Sequence, residues 1–213
     1  MRKIAFACLS LLLITGVSCK DAKKEKDGQA VELEAASSEK FSLVKDSTKV
    51  SFTAYKTTEK LPVGGKFTQI NIKETKDAST PLQALNGTTF SIPVSSLFTN
   101  DATGTRDPKI LEFFFGVMEN TELISGKFIV SREDKCSVDV TLNGKTQNIP
   151  IDHTMTGDNS YAFSGVMNLE NWDALNAVAS INKACEALHT GKDGVSKTWS
   201  EVAVHAEVLL QEN

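Results

Sequence analysis

The chain has 213 residues, 40% of them hydrophobic, with 23 basic and 27 acidic side chains and a net charge of −4. That length suits one domain with a sizeable core. The charge balance offers no basic patch or basic stripe with interleaved aromatics, which excludes a nucleic-acid surface. Beyond the N-terminal segment no apolar run is long enough for a transmembrane helix.

The first element reads as a leader. Arg2 and Lys3 form a short basic region, and residues 4–17 are almost wholly apolar. That run has the length of a signal-peptide core and is too short to span a bilayer comfortably. Gly16 and Ser18 then lead into Cys19, with Gly16 where a lipoprotein box usually has leucine. A bacterial lipoprotein signal needs such a cysteine, because its thiol takes a diacylglycerol group and becomes the new N-terminus. The alternative is plain secretion with an incidental cysteine. Lys20-Asp21 faintly resembles the export signal of surface lipoproteins.

The division expected is therefore 1–18 as leader, 19–40 as tether and 41–213 as folded domain. The tether is rich in Lys, Glu, Asp, Ala and Ser, a composition that buries too little surface to repay its ordering entropy. Removing Arg2 and Lys3 takes the charge from −4 to near −6. The product is expected as an exported envelope lipoprotein, periplasmic or surface-facing and most simply in the outer membrane. Its membrane attachment is acylated Cys19, stable when two or three chains are present.

From Phe41 onward the dominant period is two. Val50, Phe52 and Ala54 alternate with Ser51 and Thr53. Ile70 and Ile72 follow Thr68, with Phe67 on the opposite face. Thr88, Phe90, Ile92 and Val94 share a face, as do Ile124, Phe128 and Val130. Cys136, Val138, Val140 and Leu142 run into Asn143-Gly144, a strong hairpin signal because both residues tolerate positive φ. Ile149, Ile151 and His153 form the return strand. Tyr161, Phe163, Gly165, Met167 and Leu169 follow Gly157-Asp158-Asn159, and Val202, Val204, Ala206, Val208 and Leu210 close the series. About eight strands with mostly short connections predict an all-β fold, an antiparallel barrel or sandwich.

Two helices interrupt the strands. Asp107-Pro108 predicts a start, with Asp as N-cap and Pro at the first helical position. Ile110, Leu111, Phe114 and Phe115 follow, and Gly116 stops the run. The second is expected over 172–189, where Leu175, Val178, Ile181, Asn182, Cys185 and Leu188 recur at helical steps.

The common catalytic and metal motifs are missing: no phosphate loop, nucleophile elbow, zinc helix or calcium loop. His153, His189 and His205 lie far apart without ligand spacing. His205 falls on a polar strand face, and His189 sits where a helix C-terminus favours positive charge. No enzyme, metal or cofactor is expected. Cys136 and Cys185 are the two cysteines left after the leader and Cys19. They either pair, closing a loop worth on the order of 4 kcal/mol, or stay as separate buried thiols. Of the 11 phenylalanines, against two tryptophans and two tyrosines, Phe52, Phe67, Phe90, Phe128 and Phe163 fall on separate expected strands. They are core, or the lining of a hollow barrel wide enough for one small ligand.

Several motifs together resemble the YceI-like family. Thr105 to Phe115, reading TRDPKILEFFF, is similar to its Arg-Asp, helix, Phe-Phe signature, although Pro108-Lys109 stand where the family often has His-Leu. Val50-Ser51-Phe52 and Gly64-Gly65-Lys66-Phe67 resemble its opening strands, and Thr141 to Gln147 its Leu-x-Gly-x-Thr hairpin. The resemblance covers about 41–211. It implies a lipocalin-like antiparallel β-barrel of about eight strands with two inserted helices. It also implies a non-catalytic exported protein holding a polyisoprenoid or similar long-chain lipid. The candidate ligand residues are then Phe52, Phe67, Phe90, Phe113, Phe114, Phe128 and Phe163, with Arg106 either at a polar head group or paired with a carboxylate. The alternative is a structural or interaction lipoprotein whose barrel is filled by its own side chains.

Overall fold

A computed structural model of the protein describes residues 40–132 and 134–213; the leader, Cys19 and nearly all of the charged tether lie outside the described residues. Among the described residues there are eleven strands. They are β1 Phe41–Leu43, β2 Lys49–Lys56, β3 Leu61–Phe67, β4 Asn71–Lys73, β5 Thr89–Pro93, β6 Leu97–Phe98, β7 Leu123–Val130, β8 Cys136–Leu142, β9 Lys145–Gly157, β10 Ser160–Asn168 and β11 Glu201–Glu212. The hydrogen-bonded order is β4-β5-β7-β8-β9-β10-β11-β2-β3-β6, and β1 pairs with the far end of β11. Every pairing is antiparallel.

Kinks reconcile eleven strands with the eight expected. β1 and β2 lie along the same strand, β11, and are separated by a 3-10 turn at Lys45–Ser47. β5 runs into β6 through another at Val94–Ser96. β3 reaches β4 through residues 68–70, with the Thr68 N–H donating to the Ser96 carbonyl at 2.9 Å. Because β4 pairs with β5 while β3 pairs with β6, the two ends of the sheet order are halves of one bent ribbon. The sheet thus curls onto itself as a lipocalin-like barrel of eight bent strands.

The turn between β8 and β9 forms as its dipeptide dictates, with Asn143 at φ 50° and Gly144 at φ 68°. β8 alternates cleanly, with Cys136, Val138, Val140 and Leu142 buried and the residues between them half-buried.

Helices cover the two ends. At the Cys136 end lies α1, Pro81–Leu85, which the sequence pattern did not announce because five residues are too few to show a helical period. Thr80 caps it, accepting from the Gln83 N–H, and Pro81 occupies its first turn. Its Leu82, Ala84 and Leu85 pack with Leu43, Val130, Cys136, Phe163 and Leu210. At the Leu142 end lie α2, Arg106–Phe113, then α3, Leu175–Ala184, and α4, Glu186–His189.

Three expectations change at these ends, and one open alternative closes. Asp107 is not the cap of α2; the helix starts two residues earlier, at Arg106 after Thr105, and Asp107 instead accepts from the Thr99 backbone N–H at 3.1 Å and from the Thr99 hydroxyl. The helix expected over 172–189 is broken twice. A 3-10 turn, Leu169–Trp172, ends at Asp173 in the left-handed region, and Cys185 separates α3 from α4, leaving Leu175 and Leu188 exposed. His189 does not act as a charged cap. Its Nδ1 lies 2.7 Å from the Thr198 hydroxyl, and burial, then repulsion from Lys56, holds its pKa below 6.5. Cys136 and Cys185 are unpaired buried thiols, because β8 begins at the α1 end while Cys185 follows α3 at the other.

Candidate ligand cavity

The inward faces of these strands do not meet. Between them runs a cavity of about 250 Å³, lined almost wholly by aliphatic and aromatic side chains. An engineered apolar cavity of roughly 150 Å³ already stays dry and admits benzene. The volume arises because the barrel is wide and its contributors from β8, β9 and β11 are short: Val138, Val140, Ile149, Ile151, Val202 and Val204 all line it.

Two aromatic pairs are placed by the strands. Phe52 on β2 and Phe67 on β3 sit 5.8 Å apart at 44° and pack with the cluster at the Leu142 end. Phe128 on β7 and Phe163 on β10 sit 5.0 Å apart, edge to face, in the cluster at the α1 end. Edge-to-face rings at such distances attract beyond their simple burial. Phe90 on β5 joins them on the wall, so all five strand phenylalanines singled out in the sequence face one hollow.

The helical candidates separate. Phe115 lines the cavity, together with Ile110 from α2, and was the member of the Phe-Phe run left out of the candidate set. Phe114 packs edge to face against Phe115 at 5.0 Å, outside the lining, and Phe113 is half-buried with no place on the wall. Arg106 is also outside the wall. Its Nη2 lies 3.5 Å from Asp101 Oδ1, while the same carboxylate accepts from the Arg106 and Thr105 backbone N–H groups. The Thr103 hydroxyl, these amides and the guanidinium hold Asp101 below the usual carboxylate range. Arg106 thus pins the start of α2.

The cover at the Leu142 end is fastened by two side chains. Trp172 is fully buried and its indole N–H donates to the Val140 carbonyl at 2.9 Å. Asn143 donates from Nδ2 to the Trp172 carbonyl at 2.8 Å and accepts on Oδ1 from the Glu119 N–H at 2.8 Å. One hairpin residue therefore ties both covering segments to β8. The polar residues on the wall are Thr48, Ser51, Thr88, Ser164 and His205, of which only the two threonines are in phase with the apolar lining of their strand starts.

His153 lies beside Cys136, with Nδ1 to Sγ at 3.7 Å, but burial and the nearby Asp134 push that thiol up to about 11. His205 is exposed on β11, although it also borders the cavity. Among the described residues no group of three or more His, Cys, Asp or Glu side chains is placed to hold a metal ion. None of their helices is long and apolar enough to cross a membrane.

A family model described as the YceI-like domain matches residues 41–209. Among curated proteins no sequence match is found. Of the solved structures, a polyisoprenoid binding domain from Saccharophagus degradans implicated in plant cell wall breakdown superposes with a TM-score of 0.57 at 10% identity, over 81% of this chain and 98% of that one. BcnA from Burkholderia cenocepacia gives 0.47 at 16% identity, over 77% and 96%. A YCEI protein of Campylobacter jejuni gives 0.45 at 15% identity, over 71% and 82%.

Proposed function

Since the chain belongs to the YceI-like domain family, we propose that it binds, without chemistry, the long hydrocarbon chain of a polyisoprenoid or similar lipid. The observation that carries this reading is the 250 Å³ hollow with its aliphatic and aromatic wall. Each buried methylene contributes about 0.8 kcal/mol. A flexible prenyl tail with ten or so carbons inside gains several kcal/mol beyond the cost of ordering it. The polyisoprenoid binding of the Saccharophagus domain, which shares this fold, supports the ligand class.

The same proposal places the protein in the cell envelope. The leader ending at Cys19 would leave an acylated N-terminus in the membrane, and the charged segment that follows would hold the barrel away from the bilayer. The protein then buffers or carries lipid between membranes. Phe52, Phe67, Phe90, Phe128 and Phe163, with Phe115, are the contacts proposed for the chain.

The test is extraction of the purified protein with organic solvent followed by mass spectrometry, with added prenyl lipids as a second arm. A stoichiometric prenyl or other long-chain lipid is expected. A clean protein that also ignores added prenyl lipids would leave a surface-interaction role instead.

A further inference from the structure

The cavity wall carries two polar groups whose bonding is incomplete. The hydroxyls of Thr48 and Thr88 are buried and have no hydrogen-bond partner among the described residues. Buried hydroxyls in folded proteins nearly always find partners, so each exception needs a reason.

Local structure keeps both side chains where they are. Thr88 is only 6% exposed. Its backbone is fully tied: its N–H donates to the Leu85 carbonyl at 3.1 Å, and its carbonyl accepts from the Phe128 N–H at 2.8 Å. It stands in phase with Phe90 and Ile92, whose side chains also line the cavity. Thr48 stands in phase with Val50, Phe52 and Ala54, and its N–H donates to the Lys45 carbonyl at 3.1 Å. Both threonines belong to the same end of the barrel. Thr48 precedes β2 where β2 begins, and Thr88 joins α1 to β5 where β5 begins.

The rest of the wall sets the charge of what they meet. No lysine, arginine, aspartate or glutamate lines the cavity, and the histidine that borders it, His205, is exposed rather than enclosed. A phosphate placed there would lose its hydration with no cation to replace it. A hydroxyl or carbonyl oxygen would instead exchange bonds with water for bonds with threonine. We propose that Thr48 and Thr88 receive the uncharged oxygen-bearing head of the lipid at the α1 end, with the tail running toward Phe115. The ligand class is a neutral lipid with a hydroxyl or carbonyl oxygen, bound head inward. This rests on the reading of the cavity as a lipid site.

The experiment uses the full chain carrying Cys19→Ala, so that no acyl chain competes, with and without Thr48→Val and Thr88→Val together. Three probes are titrated: geranylgeraniol, the matching hydrocarbon without its hydroxyl, and geranylgeranyl monophosphate. The alcohol is expected to bind the threonine form at least about tenfold tighter than the double-valine form, the worth of one net hydrogen bond. The hydrocarbon is expected to bind both forms alike, and the phosphate to bind about tenfold or more weaker than the alcohol. Because valine keeps threonine's shape and removes a hydroxyl that lacks a partner, the variant's thermal midpoint should equal or exceed the parent's. Hydrocarbon binding with an alcohol preference that ignores the valines, or a phosphate that binds as well as the alcohol, would overturn the head assignment alone. Failure of all three probes to bind the threonine form would overturn the lipid cavity itself.

Discussion

Phe52 on β2 stands directly opposite Gly65 on β3, and its ring fills the place of the missing side chain: a Cβ at 65 would lie 2.4 Å from the ring tip. Phe90 repeats the relation opposite Gly126, again at 2.5 Å. An aromatic laid over a glycine of the neighbouring strand covers bare backbone and fixes register. Here it also presses two rings flat against the wall and leaves the barrel's centre open.

The two glycines should respond differently to alanine. At 65 the new methyl meets mainly a ring that can swing toward the hollow. Gly65→Ala should fold, lose about 1 kcal/mol and take up less lipid. At 126 the methyl would also lie 2.2 Å from the Asp139 carbonyl of β8, which cannot move without breaking the ladder. Gly126→Ala should cost roughly 2–3 kcal/mol or more. Urea midpoints of the two variants decide it; equal losses would remove the distinction.

Trp172 is the second lever on stability. Replacing it with phenylalanine keeps most of the buried area but removes the N–H that reaches the Val140 carbonyl. The expected loss is on the order of 1–3 kcal/mol, with faster hydrogen exchange in α3 than in β7. Uniform exchange across the two would show that the indole is not what holds the cover down.

The strand framework was legible because period two is imposed by the pleat itself. Val138-Asp139-Val140-Thr141-Leu142 reads as a strand whatever surrounds it, and Asn143-Gly144 fixes its turn. The kinks at Lys45–Ser47 and Val94–Ser96 were not legible, because a three-residue 3-10 turn interrupts the alternation without announcing itself. Neither was the break at Asp173: a positive φ at one non-glycine residue depends on what Trp172 packs into. The hollow follows the same division. Its phenylalanines stood out, but nothing in the sequence marks Thr48 or Thr88, since only coordinates reveal an absent partner. Of the run at 113–115, helical phase from Ile110 favours Phe113 and Phe114, three and four residues on; Phe115 reaches the wall because α2 ends at Phe113 and a 3-10 turn, Phe115–Val117, follows.

The envelope assignment makes its own prediction. Cys19→Ala should move the protein from the membrane fraction to the soluble envelope fraction, because one residue supplies the acylation site. A variant still sedimenting with membranes after a high-salt wash would sink the anchor.

Cys136 and Cys185 should be recovered as free thiols even after export. They sit at opposite ends of the barrel, and burial holds the Cys136 proton to about 11. At pH 8 very little Cys136 is thiolate, the form that reacts. Iodoacetamide without reductant should label Cys136 slowly in the native protein and both cysteines quickly in denaturant. A mass two hydrogens short, with no labelling in denaturant, would mean that they pair.

His189 predicts how stability depends on pH. Its pKa in the folded chain lies below the ordinary 6.5, chiefly through burial and then through Lys56. Below about 6.5 the unfolded chain takes up a proton on this imidazole that the folded chain resists, so the unfolded form gains. The contribution of neutral His189 is therefore whole above that pH and is lost as the pH falls through the lower folded value. Asp101 and Asp193, held below 3.8, act in the same direction but only in a more acid range. Urea midpoints at pH 7.5 and 5.5 should thus fall for the parent chain and fall less for His189→Gln, which keeps an amide to meet Thr198. Parallel slopes in the two proteins would show that this imidazole is not the group that titrates.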